Sequence, residues 1–253
     1  MEFRFSDKNP LHPISLFSFD AMHTRIEVLL TGLDESAGRN IAERVEECCH
    51  DMERRFNCHD ERSPLSVVNA RGAGEPVKVD DELFMALELC EAFRRGTAGY
   101  FDIATDSATA GERSYQLDAQ AHTVSLSREG IRLDMGGFAK GFALERIRKM
   151  LAEEGVKTAL MNFGNSSVAA LGHHPYGEWW GVGVEHTKVR GSMAHEVHLD
   201  GRAMSVSGRL TDGRYHIVNP TTGGTVAAGH IAAKFQQQTH QRTVADTKSQ
   251  YGN

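Results

Sequence analysis

Leu133-Asp134-Met135-Gly136-Gly137-Phe138-Ala139-Lys140-Gly141 runs from an extended apolar segment, through two adjacent glycines, into a helical pattern. That helix is expected to continue through Leu151, with Ala139, Ala143, Ile147 and Met150 on one side. Paired glycines let a ligand come close to the backbone, and the N–H groups of a new helix favour an anion. Lys140 adds a positive charge in the first turn. The combination suits a pyrophosphate. It is neither G-x-G-x-x-G nor the Walker pattern, so the common nucleotide fingerprints do not apply. The same residues also describe a tight strand-to-helix turn with no ligand, and the stretch alone leaves both readings open.

On the N-terminal side, residues 24–30 read as a strand. Asp34 can cap a helix running to about Phe56, with Ile41, Val45, Cys48, Met52 and Phe56 at helical spacing. Residues 57–79, with Pro64, Gly72, Gly74 and Pro76, read as irregular. A second helix fits residues 81–95, with Leu83, Leu87 and Cys90 on one face and Gly96 at its end. Short strand-like runs fill residues 115–135. Further strands are expected at 158–162, 168–171, 179–185, 195–199 and 215–218. Strands and helices do not alternate strictly, which argues for an α+β fold of mainly antiparallel sheets with packed helices. Residues 1–235 read as the folded domain. Residues 236–253 form a polar tail with almost nothing apolar and no clear period.

The 253 residues are enough to bury a sizeable core. A formal net charge of -6, with no basic stripe, argues against nucleic-acid binding. No apolar run approaches the roughly 20 residues needed to span a bilayer. The first residues have neither a signal-peptide core nor a cysteine to carry a lipid, so the expected location is cytoplasmic. Cys48, Cys49, Cys58 and Cys90 are expected as free thiols. Together with His50 and His59, three of them invite a zinc reading. However, Cys48, Cys49 and His50 are consecutive on a helix and point in different directions, which speaks against it.

Two further stretches carry chemistry. Ser205-Val206-Ser207-Gly208 offers hydroxyls and an uncovered backbone, and His216 follows in a β-like run ahead of Asn219-Pro220-Thr221-Thr222-Gly223. Histidine suits proton transfer near neutral pH, although a strand histidine bonded to a carbonyl is the commoner case. Thr97-Ala98-Gly99-Tyr100-Phe101-Asp102 sets aromatics beside a carboxylate. Such a group can hold a flat heterocycle, or it can be core capped by Asp102.

These pieces, in this order, resemble the FAD:protein FMN transferases of the ApbE family. The family's A-M-G-T corresponds to Ala21-Met22-His23-Thr24, and its S-x-L-S-x-x-N to Ser63-Pro64-Leu65-Ser66-Val67-Val68-Asn69. Its T-x-G-x-F-D is matched by Thr97 to Asp102, and its L-D-x-G-G-x-A-K-G completely by Leu133 to Gly141. Its N-x-G element resembles Asn162-Phe163-Gly164-Asn165. Its S-G and H-I-x-(D/N)-P-x-T-G match Ser207-Gly208 and His216 to Gly223. The resemblance spans about residues 18 to 229.

That resemblance implies a T-like fold that binds FAD in a cleft between two portions, with Mg2+ on the pyrophosphate. A Thr or Ser hydroxyl of an acceptor protein, typically a subunit of a redox complex, attacks the FMN phosphorus and AMP leaves. Some relatives hydrolyse FAD to FMN and AMP instead. Carried over by position, Met22 lines the flavin site, and Tyr100, Phe101 and Asp102 contact the flavin or its linker. Gly136, Gly137, Lys140 and Phe142 surround the pyrophosphate and adenosine, and Ser207 and Gly208 belong to the same cofactor-binding set. The Ala139 carbonyl is a metal ligand, and His216 is the general base.

Two departures stand out. His23 replaces a family glycine, with the prospect of a narrowed flavin site or a different contact there. The family's final A-D-x-x-x-T/S, which completes its metal site, has only Ala245-Asp246 here, with Gln at position 250. An FAD-binding protein with impaired catalysis is therefore the alternative expectation.

Overall fold

The computed structural model describes residues 1–104, 113–185, 192–207 and 231–235. β1 (Glu2–Ser6), β2 (Ile14–Ala21) and β3 (Thr24–Thr31) form a meander. Three helices follow: α1 (Glu35–Phe56), α2 (Pro64–Arg71) and α3 (Asp81–Gly96). The two-residue strand β4 (Val77–Lys78) pairs with β6 (Thr123–Leu126), which also pairs with β5 (Tyr115–Asp118). Next come α4 (Ala139–Glu153), β7 (Ala159–Phe163) and β8 (Ser167–Leu171). A hairpin of β9 (Trp180–Glu185) and β10 (Met193–Leu199) precedes β11 (Ala203–Ser207) and β12 (Ile231–Phe235).

The main sheet has seven strands in the order β1-β2-β3-β7-β8-β11-β12, with every neighbour antiparallel. Strand alternation sends Ile26, Val28 and Leu30 of β3, and Ala159, Met161 and Phe163 of β7, into the larger core. That core also takes the buried faces of α1 and α4. Val168 and Ala170 face the other way and form a second, smaller core with Trp180, Val184 and Leu199 of the β9–β10 hairpin. Helices and hairpin therefore cover opposite faces of the sheet, as expected for an α+β fold.

Local sequence explains most element boundaries. The side chains of Asp34, Ser63 and Asp80 accept from backbone N–H groups at the starts of α1, α2 and α3. α2 lies inside the region read as irregular. Ser63 with Pro64 at the first helical position is a helix-start signal as well as a turn signal, and here it starts a helix. On α1, Cys49 rather than Cys48 shares the buried face with Val45, Met52 and Phe56, because 3.6 residues per turn favours position 49. β1, β2, β4, β11 and β12 are not among the strands expected from the sequence. In β2 the small or aromatic side chains of Ser15, Phe17, Phe19 and Ala21 alternate inward. The strand expected at 215–218 and the polar tail at 236–253 lie outside the described residues.

The β2–β3 connection shows what backbone conformation position 23 must adopt. Met22 (φ 53°) and His23 (φ 57°) both adopt the left-handed conformation of a two-residue hairpin turn. His23 is exposed, so its side chain does not fill the interior. Gly164, at the neighbouring β7–β8 turn, has φ 62°, and a Cβ there would overlap Thr24 Oγ1. Opposite effects follow at the two positions. His23→Gly is expected to raise unfolding free energy by about 0.5–1 kcal/mol, because left-handed backbone costs a side-chain-bearing residue about 1–2 kcal/mol and glycine's freer unfolded chain offsets about 0.4–1 kcal/mol of that. Gly164→Ala is expected to lower it by more than about 1 kcal/mol. Urea unfolding measures both, and equal signs would contradict the turn assignment.

Candidate functional site

The Leu133–Asp134 segment is too short to be a strand of any sheet, and contacts from both sides hold it in place. On one side Asn69, at the end of the α2 motif, donates from Nδ2 to the Leu133 carbonyl (3.0 Å) and accepts the Leu133 N–H at Oδ1 (2.8 Å). On the other, Ala104 bridges Leu133, and the Asp134 N–H donates to the Ile103 carbonyl at 2.8 Å. The end of one motif and the two residues after another thus clamp the entrance to a third.

The turn that follows is fixed by its own groups. Asp134 Oδ1 accepts from the Gly136 N–H at 2.8 Å, and the Met135 carbonyl accepts from the Phe138 and Ala139 N–H groups. Gly136 and Gly137 are exposed, and a Cβ at Gly137 would meet nothing within 4 Å. The Gly137 N–H has no acceptor among the described residues. α4 differs from α1, α2 and α3 in that its N-cap residue, Phe138, makes no side-chain cap, and like α2 it has no acidic residue in its first turn. With the Phe138 and Ala139 N–H groups taken by Met135, the next amides of the first turn and the positive end of its dipole are left for another partner.

Lys140 is half-buried, and desolvation alone holds its ammonium below the usual lysine value. Its Nζ donates to Ser166 Oγ at 3.1 Å. The Ser166 carbonyl accepts from the Val206 N–H (2.8 Å) and from Ser205 Oγ (3.3 Å). The β7–β8 turn therefore joins the start of α4 to the end of β11, where Ser207 lies. The preceding motif residue Asn162 shapes that turn by exchanging hydrogen bonds with Asn165. The Met22 N–H donates to Glu53 Oε1 of α1 at 2.9 Å, which places the β2–β3 turn at the same end of the sheet.

The aromatic motif reaches the site by packing. Phe101 is half-buried, with ring centroids 6.0 Å from Phe93 and 6.5 Å from Phe138. Tyr100 is 72% exposed. Asp102 accepts from the Ala104 N–H at 2.9 Å, and burial pushes its carboxyl above the usual range. Phe142 is buried and packs between Phe56 and Phe138, so it supports the turn from the core side. Ala139 is buried at the first helical position. Gly208 and His216 lie outside the described residues, as does Ala245-Asp246.

Met22, Phe101, Asp102, the glycine pair, Lys140 and the end of β11 thus come together at one end of the main sheet. The sequence reading did not single out Asn69, Glu53 and Ser166 as site residues. Asn69 and Asn162 stand inside sequence motifs, but nothing local marks Glu53 or Ser166. No helix among the described residues is long and apolar enough to cross a membrane.

A sequence model described as the ApbE family matches residues 22–249. A curated relative from Treponema pallidum (strain Nichols), named FAD:protein FMN transferase, is 27% identical over 227 residues, covering 72% of this chain and 62% of the relative. The chain thus spans less than two thirds of that relative's length. Among solved structures, an ApbE protein from Thermotoga maritima superposes with a TM-score of 0.75 at 22% identity, covering 90% of this chain and 81% of the other. The flavin transferase ApbE from Vibrio cholerae gives a TM-score of 0.73 at 14% identity, with 88% and 82% covered. These likenesses establish the fold.

The Asn69 clamp can be tested directly. Asn69→Ala strips both backbone groups of the buried Leu133 of this partner, and an unsatisfied buried polar group costs about 1–3 kcal/mol. A loss of about 2–4 kcal/mol in denaturant unfolding is expected. A loss below about 0.5 kcal/mol, the range of an ordinary surface substitution, would show that the segment is held by other means.

Proposed function

The chain belongs to the ApbE family, and from that premise we propose that it transfers FMN from FAD to a Thr or Ser hydroxyl of an acceptor protein, releasing AMP. The observation that carries the reading is the uncapped start of α4 behind an open glycine pair, with Lys140 in its first turn. That is an anion site of the shape a dinucleotide pyrophosphate requires.

In this reading the pyrophosphate lies against the Gly136–Gly137 backbone and the Lys140 and Gly141 amides of α4, with the Lys140 ammonium neutralising charge. Met22, Tyr100, Phe101 and Asp102 face the flavin half. The acceptor hydroxyl oxygen attacks the FMN phosphorus. A new P–O bond forms, the bond to the AMP phosphate breaks, and AMP leaves with that electron pair. His216 takes the hydroxyl proton. Phosphoryl transfer depends mainly on positioning and charge neutralisation, which is what this set provides.

Mg2+ on the pyrophosphate would add charge neutralisation. The Ala139 carbonyl is the ligand assigned to it, and among the described residues the one converging group of three ligating side chains is Cys58, His59 and Asp134. The acceptor is proposed to be a subunit of a redox complex, and the reaction to take place in the cytoplasm.

Two substitutions test the binding half. Gly137→Ala adds a methyl where the protein has room, so stability should stay within about 0.5 kcal/mol. FAD affinity should nevertheless fall at least tenfold, read by fluorescence titration. Lys140→Met removes a charge that burial disfavours, so the ligand-free protein should be no less stable while FAD binding weakens. If FAD binds both variants as tightly as the parent, the pyrophosphate is elsewhere.

The catalytic half is tested by incubating the protein with FAD and Mg2+, with and without an acceptor domain, and measuring AMP and acceptor mass. Metal-dependent AMP with a flavinylated acceptor is expected, and both should be lost in His216→Ala. FMN free in solution without acceptor would indicate hydrolysis. No AMP despite bound FAD would indicate a binding protein, the outcome that Gln250 in place of the family hydroxyl would favour.

A further inference from the structure

The loop between α1 and α2 carries Cys58 and His59, and it packs against the segment that enters the glycine turn. Cys58 Sγ, a ring nitrogen of His59 and a carboxylate oxygen of Asp134 all lie within 4.8 Å of one another. Among the described residues this is the one group of three side chains able to converge on a metal ion. The sequence alone argued against zinc, because Cys48, Cys49 and His50 diverge on a helix. The structure leaves those three aside and supplies a third ligand, Asp134, more than seventy residues away.

The donor set is specific. A thiolate, an imidazole and a carboxylate suit a thiophilic divalent transition ion such as Zn2+, whereas Mg2+ prefers an all-oxygen shell. Three protein ligands leave a fourth tetrahedral position for water. With Zn–S and Zn–N bonds of about 2.3 and 2.0 Å, ligand atoms sit roughly 3.3–3.8 Å apart. Closure therefore needs about an ångström of movement. His59 is exposed on a loop and Cys58 is half-buried, so the movement falls on side chains that have room. Asp134 already uses Oδ1 to hold the Gly136 N–H, which leaves its second oxygen as the ligand.

The cluster already attracts a cation. Arg132 Nη2 lies 3.0 Å from His59 Nδ1, 3.5 Å from Cys58 Sγ and 3.2 Å from the Cys58 carbonyl. With Arg132 donating, Nδ1 is the unprotonated ring nitrogen. The Cys58 and His59 donor atoms therefore both face the same guanidinium nitrogen.

We propose that Cys58, His59 and Asp134 form a binding site for a thiophilic divalent metal ion, which Zn2+ would fill by displacing the Arg132 guanidinium. Binding releases the Cys58 thiol proton to solvent and leaves the oxidation states unchanged. An occupied site ties the α1–α2 loop to the residue that shapes the glycine turn. The inference does not depend on flavin transfer and concerns different atoms from those assigned to Mg2+.

The test uses the full chain, freed of metal with a chelator and titrated with Co2+. A thiolate-to-cobalt charge-transfer absorbance saturating at one equivalent is expected. Zn2+ should abolish it and excess Mg2+ should leave it unchanged. Cys58→Ser should remove the band. Asp134→Asn, which keeps an acceptor for Gly136, should weaken Co2+ binding at least tenfold, and so should His59→Ala. Arg132→Met should tighten it, which a merely structural arginine would not do. A band that survives Cys58→Ser would overturn the proposal. So would the lack of any band in both the parent and Arg132→Met, provided circular dichroism shows both to be folded.

Discussion

The structure around the site depends on two hydrogen bonds between one side-chain amide and one residue's backbone. Leu133 is fully buried but belongs to no sheet, so its N–H and C=O need partners that no neighbouring strand provides. Asn69 supplies both. With Leu133 fixed, Asp134 is placed to receive the Gly136 N–H, Met135 to receive Phe138 and Ala139, and α4 starts where it does. α2 therefore matters chiefly as the short rod that delivers Asn69, and Ser63 as the cap that starts the rod.

A second constraint comes from turns in the left-handed region. Met22, His23, Gly164 and Asn165 all have positive φ, and their two turns lie side by side across the β3–β7 pairing. Their tightness brings Thr24 against Gly164 and puts Ser166 within reach of both Lys140 and β11. Lys140 is thus positioned from two directions: its own helix, and a turn contributed by the sheet. The energetic burden of its half-buried charge is consistent with a place prepared for an anion.

Legibility was uneven for physical reasons. α1, α3 and α4 were readable because caps and 3.6-residue spacing are local properties, as were most strands from β3 onward. α2 was misread because Ser-Pro starts both turns and helices, and its eight residues show too little periodicity to decide. Cys48 was placed on the buried face of α1, where Cys49 lies. Gly136, Gly137 and Lys140 stand out in the local sequence, whereas the burial of Phe142 against Phe138 beneath the turn is a matter of packing.

By itself the sequence determined the local chemistry: which glycines open a turn, which side chains cap helices, and which ordered motifs mark the ApbE family. These follow from backbone sterics and contacts between residues a few positions apart. Only the tertiary structure decided which distant groups meet. Asn69 on Leu133, Ser166 under Lys140, Glu53 on Met22 and the grouping of Cys58 and His59 with Asp134 all join segments that no period or spacing connects. Such pairings are set by how the helices and the sheet pack around one core, and packing depends on the whole chain at once.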